Sequence, residues 1–340
     1  MLIICKYSDP PSGQLKNIDI TNYCTRFTWS GDADQAARKL DFEIAYNSVT
    51  KDAGFVNLDL KLGGTVSVTY VDEYGNAADI FTGRIFYRKR NTNSYNFNFT
   101  AYDNMIYLAK NKVHLTFYNA KCSDAVKSVC SKIGIKVAEN NLELNTLVNF
   151  IADGKTGTEV VNMLLEKENA ATGKSYMAVS VNGELTIVEH GTLINDYVAS
   201  DAVNVMESEH GEGYEAMINR VEIVDEHGNY LKSLNVDENI TEYGVLQDVY
   251  KLQPPVEGES VDNMKAAAAL LHGIDSESQL RATGNIQCIT GYTIKVAEEQ
   301  LQGNFLIKAD THTFENNMHT MNLTLCYLPD DAVAQSVAVR

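Results

Sequence analysis

Several residue sets in this sequence have the types that chemistry requires, but none has the spacing. Gly173-Lys174-Ser175 has the form of the end of a phosphate-binding loop. That loop needs a glycine five positions earlier, where Glu168 stands, and a strand before a helix; here the order is reversed. His312 and His319 are close in sequence, yet no HExxH or companion carboxylate pattern accompanies them. They read as strand and turn histidines, as do His210 and His227 among acidic residues in turns. The six cysteines (Cys5, Cys24, Cys122, Cys130, Cys288, Cys326) contain no CxxC pair and read as reduced, mostly buried thiols. There is no GxSxG and no local cysteine-protease signature. Carboxylates are too numerous to single out a glycosidase pair, which is defined by separation in space. No catalytic, metal-ligating or cofactor-binding residue is expected, and no cofactor.

Composition narrows the classes. The 340 residues are 44% hydrophobic and 21% charged, which suits two or three globular domains rather than disorder. No apolar run is long enough to cross a bilayer. Met1 to Tyr7 lacks a basic head and a cleavage site and reads as a strand, so synthesis and folding in cytoplasm are expected. Residues 1–100 carry 11 basic and 11 acidic residues, 101–200 carry 9 and 11, and 201–340 carry 8 and 23. Most of the net charge of -17 therefore lies after residue 200. Such a surface does not hold nucleic acid by neutralising phosphates. It could repel DNA from a wall, with Glu207, Glu209, Glu212 and Glu215 as the candidate acidic residues, or simply confer solubility.

The elements that must position these residues are mainly strands. A unit from Gly64 to Asp103 returns near the C-terminus. The first copy runs from Gly64-Thr65-Val66 past Gly83 and a polar turn at Asn91 to Ser94, to Phe97-Asn98-Phe99-Thr100-Ala101-Tyr102. The second runs from Gly291-Tyr292-Thr293 past Gly303 and a turn at Glu315 to Asn317, to Met321-Asn322-Leu323-Thr324-Leu325-Cys326. Leu40 to Ala45 alternates with period two, the pattern of a half-buried strand, and Trp29 reads as core. Arg88-Lys89-Arg90 at a strand end reads as a solvated edge. Between the copies, Ser123 is expected to cap a helix to about Ile133 and Thr158 a second one. Tyr176 to Glu189 is a hairpin about Asn182-Gly183. Strands at Ile218 to Val224 and Tyr230 to Val236, a loop at Gln253 to Ser260 and a helix from Val261 to Leu271 precede the second copy. The expected fold is mainly β with an α+β insertion: a β-barrel domain over 1–103, an α+β module over 104–200, a second barrel over 201–330 and a loose tail over 331–340.

The order of motifs resembles a known family. Trp29-Ser30-Gly31 with Ala37-Arg38-Lys39-Leu40-Asp41-Phe42 is similar to its N-terminal signature. Phe81-Thr82-Gly83-Arg84-Ile85 with Thr100-Ala101-Tyr102-Asp103, then Ile240-Thr241-Glu242-Tyr243-Gly244 and His319-Thr320-Met321-Asn322-Leu323, continue the match. The chain resembles the XkdQ-type proteins of PBSX-like prophages, relatives of the late control protein D family and of the VgrG hub of type VI secretion. The resemblance implies a baseplate hub of a contractile phage tail or tailocin, not an enzyme. It also implies two duplicated barrels per chain and a trimeric, pseudo-sixfold ring. The implied partners are further copies of the chain, the tail tube, the spike, and other baseplate and tape-measure proteins. No lysozyme-like or peptidase domain accompanies the motifs. A receptor- or carbohydrate-binding tail protein and a cell-wall hydrolase are the competing readings.

Overall fold

The computed structural model describes residues 2–46, 57–91, 96–139, 142–252 and 263–328. The expected turn beyond Asn91, the loop at Gln253 to Ser260, the first two residues of the helix from Val261, and the tail from Pro329 lie outside the described residues. By contacts the chain forms two compact units, Met1–Glu209 with Gln279–Arg340, and His210–Ser278.

The first unit begins with β1 (Leu2–Ser8), β2 (Ile18–Asp19), β3 (Cys24–Asp32), β4 (Gln35–Ala45), β5 (Thr65–Val71), β6 (Ala77–Asn91) and β7 (Asn96–Asp103). An α+β segment follows: α1 (Ile106–Lys110), β8 (Lys112–Lys121), α2 (Cys122–Ile133), β9 (Leu147–Thr156), α3 (Gly157–Thr172), β10 (Tyr176–Val181) and β11 (Glu184–Glu189). Next come β12 (Leu193–Ser200) and β13 (Val205–Gly213). The second unit holds β14 (Arg220–Val224), β15 (Tyr230–Asn235), α4 (Asp237–Tyr243), β16 (Gln247–Lys251) and α5 (Asn263–Ala268). The chain then closes with β17 (Asp275–Thr283), β18 (Thr293–Ala297), β19 (Gln302–Glu315) and β20 (Met318–Leu328).

Strands from both ends of the chain share one 13-stranded sheet. Its path runs β13-β17-β20-β19-β3-β4-β7-β6-β5-β1-β2, with β18 on β19 and β12 on β18. No pairing among the described strands closes a ring, so separate closed barrels are not what the pairing gives. One strand order does occur twice within it. β1-β5-β6-β7-β4-β3 and β12-β18-β19-β20-β17-β13 are neighbours in the same succession, and in the same chain order. One difference between the copies is that β1 is antiparallel to β5, whereas β12 is parallel to β18.

The backbone bonds fix which residues correspond. Gly63 N donates to Ile85 O at 2.8 Å and Ile85 N to Gly64 O at 2.9 Å. Gly291 N donates to Ile307 O, and Ile307 N to Tyr292 O, both at 2.9 Å. The counterpart of Gly291 is therefore Gly63, one residue before the glycine that the sequence pattern selects. Both have positive φ, +76° and +94°, where a side chain is strained. Gly83 and Gly303 are not counterparts: Gly83 lies opposite Val66, and Gly303 opposite Val296. A bulge follows Ile85 in one copy and Ile307 in the other. The closing strands match as the sequence suggests, with Ala101 opposite Ile85 and Leu325 opposite Ile307.

The α+β segment has its own core, including Val126, Val129, Val161 and Leu164. Its helix caps differ from expectation. α2 starts at Cys122, and the Ser123 hydroxyl bonds the Leu144 backbone instead of capping. α3 is capped by Thr156, not Thr158, because Glu159 completes a capping box with it. Gly134 and Gly173 end the two helices in the left-handed region, so Gly173 is a helix terminus rather than a phosphate cradle. Strands expected in the C-terminal barrel, β14 and β15, instead form a three-stranded sheet with β16 over Val221, Ile223 and Ala267. No helix among the described residues is long and apolar enough to cross a membrane.

A Cβ at Gly83 would stand 2.3 Å from the Tyr102 carbonyl oxygen on β7, whereas one at Gly75 meets open space in a turn at φ +87°. Gly83→Ala is expected to cost about 1–3 kcal/mol by overpacking, and Gly75→Ala about 1 kcal/mol from backbone strain alone. Urea unfolding of the two variants checks the order; equal losses would mean that the β6–β7 approach is not tight.

Candidate functional site

The two strand sets meet at a seam between β3 and β19, where Phe27 to Asp32 pairs with Phe314 to Ala309 in antiparallel register. Alternation puts Phe27 and Trp29 of β3, and Asp310, His312 and Phe314 of β19, on the buried face. A carboxylate in that position needs partners. Arg38 supplies a two-pronged one from β4, its Nη1 3.0 Å from Asp310 Oδ1 and its Nη2 on Oδ2. Thr290 adds its backbone N–H and its hydroxyl, both at 2.7 Å. The guanidinium also stacks on Trp29, 3.9 Å from the ring centroid. Burial by itself would raise the Asp310 pKa; the charge of Arg38 and the bonds from Arg38 and His312 outweigh it and hold the carboxyl well below the usual range.

Beside the pair, His312 Nε2 lies 3.0 Å from the Cys288 carbonyl, which can only accept, and His312 Nδ1 lies 2.9 Å from His319 Nε2. The hairpin places these two histidines together: His312 lies opposite Met321, and His319 opposite Phe314. Burial, then the neighbouring His312, lowers the His319 pKa to about 3. Among the described residues no three His, Cys, Asp or Glu side chains converge to hold a metal ion. Asp103, also buried, accepts from the Arg38 backbone N–H at 3.1 Å, from Met105 N at 2.9 Å and from Ser180 Oγ. Burial raises its pKa to about 6 against those bonds.

The other face of the same sheet is mainly polar along these strands, although exposed Tyr87 and Met318 also lie on it. Asp41 and Glu43 alternate with buried Leu40, Phe42 and Ile44; Thr28 with Phe27 and Trp29; Thr311 and Thr313 with Asp310, His312 and Phe314. Asn322 alternates with Met321 and Leu323, and Gln279 and Arg281 with Leu280 and Ala282. Several charges on this face pair with their neighbours. Lys39 is 2.6 Å from Asp41, Asn96 donates to Glu43 at 2.8 Å, and Arg281 lies 3.8 Å from Glu207. Glu207 and Glu209 border a trough on it with Arg26, Gln279 and Thr313.

Of the residues singled out by sequence, the structure brings Trp29, Arg38, Ala101 and Asp103 to the buried seam or beside it. Tyr102 is half-buried, edge-on to Phe86 at 5.7 Å. Gly64 lies against the Tyr7 ring and Gly83 against the Tyr102 backbone. Gly291 lies against Val179, and Gly303 against Tyr327. Gly244 ends α4 in the second unit. Glu207 and Glu209 share the polar trough, while Glu212 and exposed Glu215 fall within His210–Ser278. Sequence reasoning missed Asp310, Thr290 and Ser180. The signal for Asp310 was an acid at an inward position of a strand, which requires a cation elsewhere in the chain.

A fold of this kind is shared with prophage tail proteins. The 43 kDa tail protein of prophage MuSo2 from Shewanella oneidensis superposes with a TM-score of 0.68 over 98% of this chain and 99% of that one, at 15% identity. An Escherichia coli component of the type VI secretion system, structurally similar to the bacteriophage T4 tail proteins gp27 and gp5, gives 0.50 over 93% and 77%, at 9% identity. Residues 27–326 match the model of the YQBQ-like family, and the chain belongs to that family. The PBSX protein XkdQ of Bacillus subtilis (strain 168) is 22% identical over 298 residues, 85% of this chain and 88% of that one. These matches bear out the resemblance to XkdQ-type proteins.

Arg38→Met, which strands a buried carboxylate, is expected to cost about 3–5 kcal/mol, and adding Asp310→Leu to recover much of it; additive losses in denaturant titrations would refute the coupling. The pKa of His319 falls from an ordinary 6.5 to about 3, so the unfolded chain takes up the proton first. Its contribution to stability is full above pH 6.5 and declines as the pH falls towards 3. His319→Gln should flatten that decline in unfolding curves taken across the same range, and an unchanged slope would show that another group carries it.

Proposed function

We propose that the chain is a structural baseplate hub protein of a contractile phage tail or tailocin, joining the tail tube to the central spike. The observation that carries this reading is the strand order found twice in one chain. In it, each set is one of two duplicated tube-type barrel units, and the α+β segment over 104–200 is a module between them. Three chains then present six similar sheets around one axis, which adapts a threefold spike to a sixfold tube. Its partners are further copies of the chain, the tube and spike proteins, and other baseplate and tape-measure proteins, and its place is the tail of the particle. The role is scaffolding, not catalysis.

The polar sheet face supports a lumen. A wall rich in Thr, Asn and Gln, with several of its charges paired to neighbours, offers passing DNA or protein little to adhere to. Glu207 and Glu209 lie on that face, and with Glu212 and Glu215 they are the acidic part of the proposed channel.

The test is the native mass of the purified chain over a concentration series, with negative-stain images of the heaviest species. A trimer seen as a ring with a central hole is expected. A chain that is monomeric at every concentration would overturn the ring.

A further inference from the structure

Within the chain, one strand set docks on the other through a specific edge. β19 is long. Its first part, Gln302 to Leu306, pairs with β18, and its later part, Ala309 to Phe314, pairs on the same side with β3. The correspondence across the bulges locates the equivalent edge in the first set. Ile85 matches Ile307, Tyr87 opposite Thr100 matches Ala309 opposite Thr324, and so Tyr87–Asn91 of β6 matches Ala309–Thr313 of β19. The pairing of β5 with β6 ends at Thr65 opposite Arg84, and no described strand pairs with Tyr87–Asn91 on that side. The counterpart of β3 in the second set is β13, which ends the sheet. Among the described residues the chain thus makes one such seam, and no described strand pairs with either half of a second.

The open halves are complementary in charge. The β6 edge carries Arg88, Lys89 and Arg90, all exposed. Arg88 is tethered to Asp59 at 3.0 Å, and the Arg90 guanidinium lies over the Tyr46 ring, so the cations are held at the edge rather than trailing from it. β13 carries Glu207, Glu209 and Glu212, also exposed. Unpaired strand edges are templates for pairing with another chain. Two different edges on one chain make a head-to-tail contact, which closes into a ring when the rotation between copies divides a full turn.

We propose that β13 of one chain pairs with the Tyr87–Asn91 edge of β6 in a second copy, repeating between chains the seam that β3 and β19 make within one. This rests on the hub reading and specifies the surfaces that close its ring. It also gives the Arg88-Lys89-Arg90 run a partner in place of solvent.

Charge reversal tests it. One variant carries Arg88→Glu, Lys89→Glu and Arg90→Glu; a second carries Glu207→Lys, Glu209→Lys and Glu212→Lys; a third carries all six. Sedimentation of each at low salt gives the association constant, and circular dichroism melting shows that each is folded. Either one-sided reversal is expected to weaken association by about tenfold or more, since like charges then face each other across the seam. The six-fold variant is expected to regain association to within about threefold of wild type. Rings that ignore both one-sided reversals would overturn this edge assignment while leaving the hub reading standing. A folded six-fold variant that stays apart while wild type assembles would overturn it equally. A wild-type chain that is monomeric throughout would remove the ring and this seam together.

Discussion

The seam between β3 and β19 is the constraint on which the rest of the chain depends. It joins residues nearly 300 positions apart in the chain. Main-chain pairing alone does not make such a junction unique, since a strand edge accepts many partners. The Arg38–Asp310 pair beneath it narrows the choice. Asp310 is fully enclosed and has four donors aimed at it. A register slip of one residue would turn that carboxylate to the opposite face and leave Arg38 buried without a counter-charge. The cost of an unpaired buried charge, rather than the attraction of the pair, is what makes the register specific.

The alternation that this register fixes separates two jobs. One face of the sheet holds Phe, Leu, Ile and Val and stabilises the unit. The other face carries mainly Thr, Asn, Gln and charges, several of them paired with one another. A face of that composition is what the proposed lumen wall draws on. The α+β segment and the second unit are insertions into this scheme, at a chain connection between the strand sets and within the β13–β17 connection of the second set.

Much of the architecture was legible in the sequence because it is local. Alternation over Leu40 to Ala45, the Asn182-Gly183 hairpin and the closing strands of the repeat each depend on residues near one another in the chain. Turn chemistry is similarly local: the Asp72-to-Asn76 turn recurs at Asp225 to Asn229, with the aspartate accepting from the same two backbone positions in each. The glycine landmarks were less secure. Gly64 and Gly291 looked equivalent by type, but hydrogen bonding assigns that role to Gly63, because a glycine at φ > 0 and a glycine making room for a ring look alike in one dimension.

The sequence by itself determined a mainly β chain with a repeated meander, an α+β segment between the copies, no recognisable catalytic pattern, and acidity gathered after residue 200. Those properties follow from periodicity, turn residues and composition, which need no knowledge of distant contacts. Only the tertiary structure decided that the two strand sets share one sheet, that β14 and β15 form a sheet of their own, and that Arg38 belongs to Asp310, 272 residues away. Each of these is a choice of partner among many strand edges and many charges. Pairing energies per residue are similar for all of them, so the choice falls to burial, shape and charge, which exist only once the chain has folded.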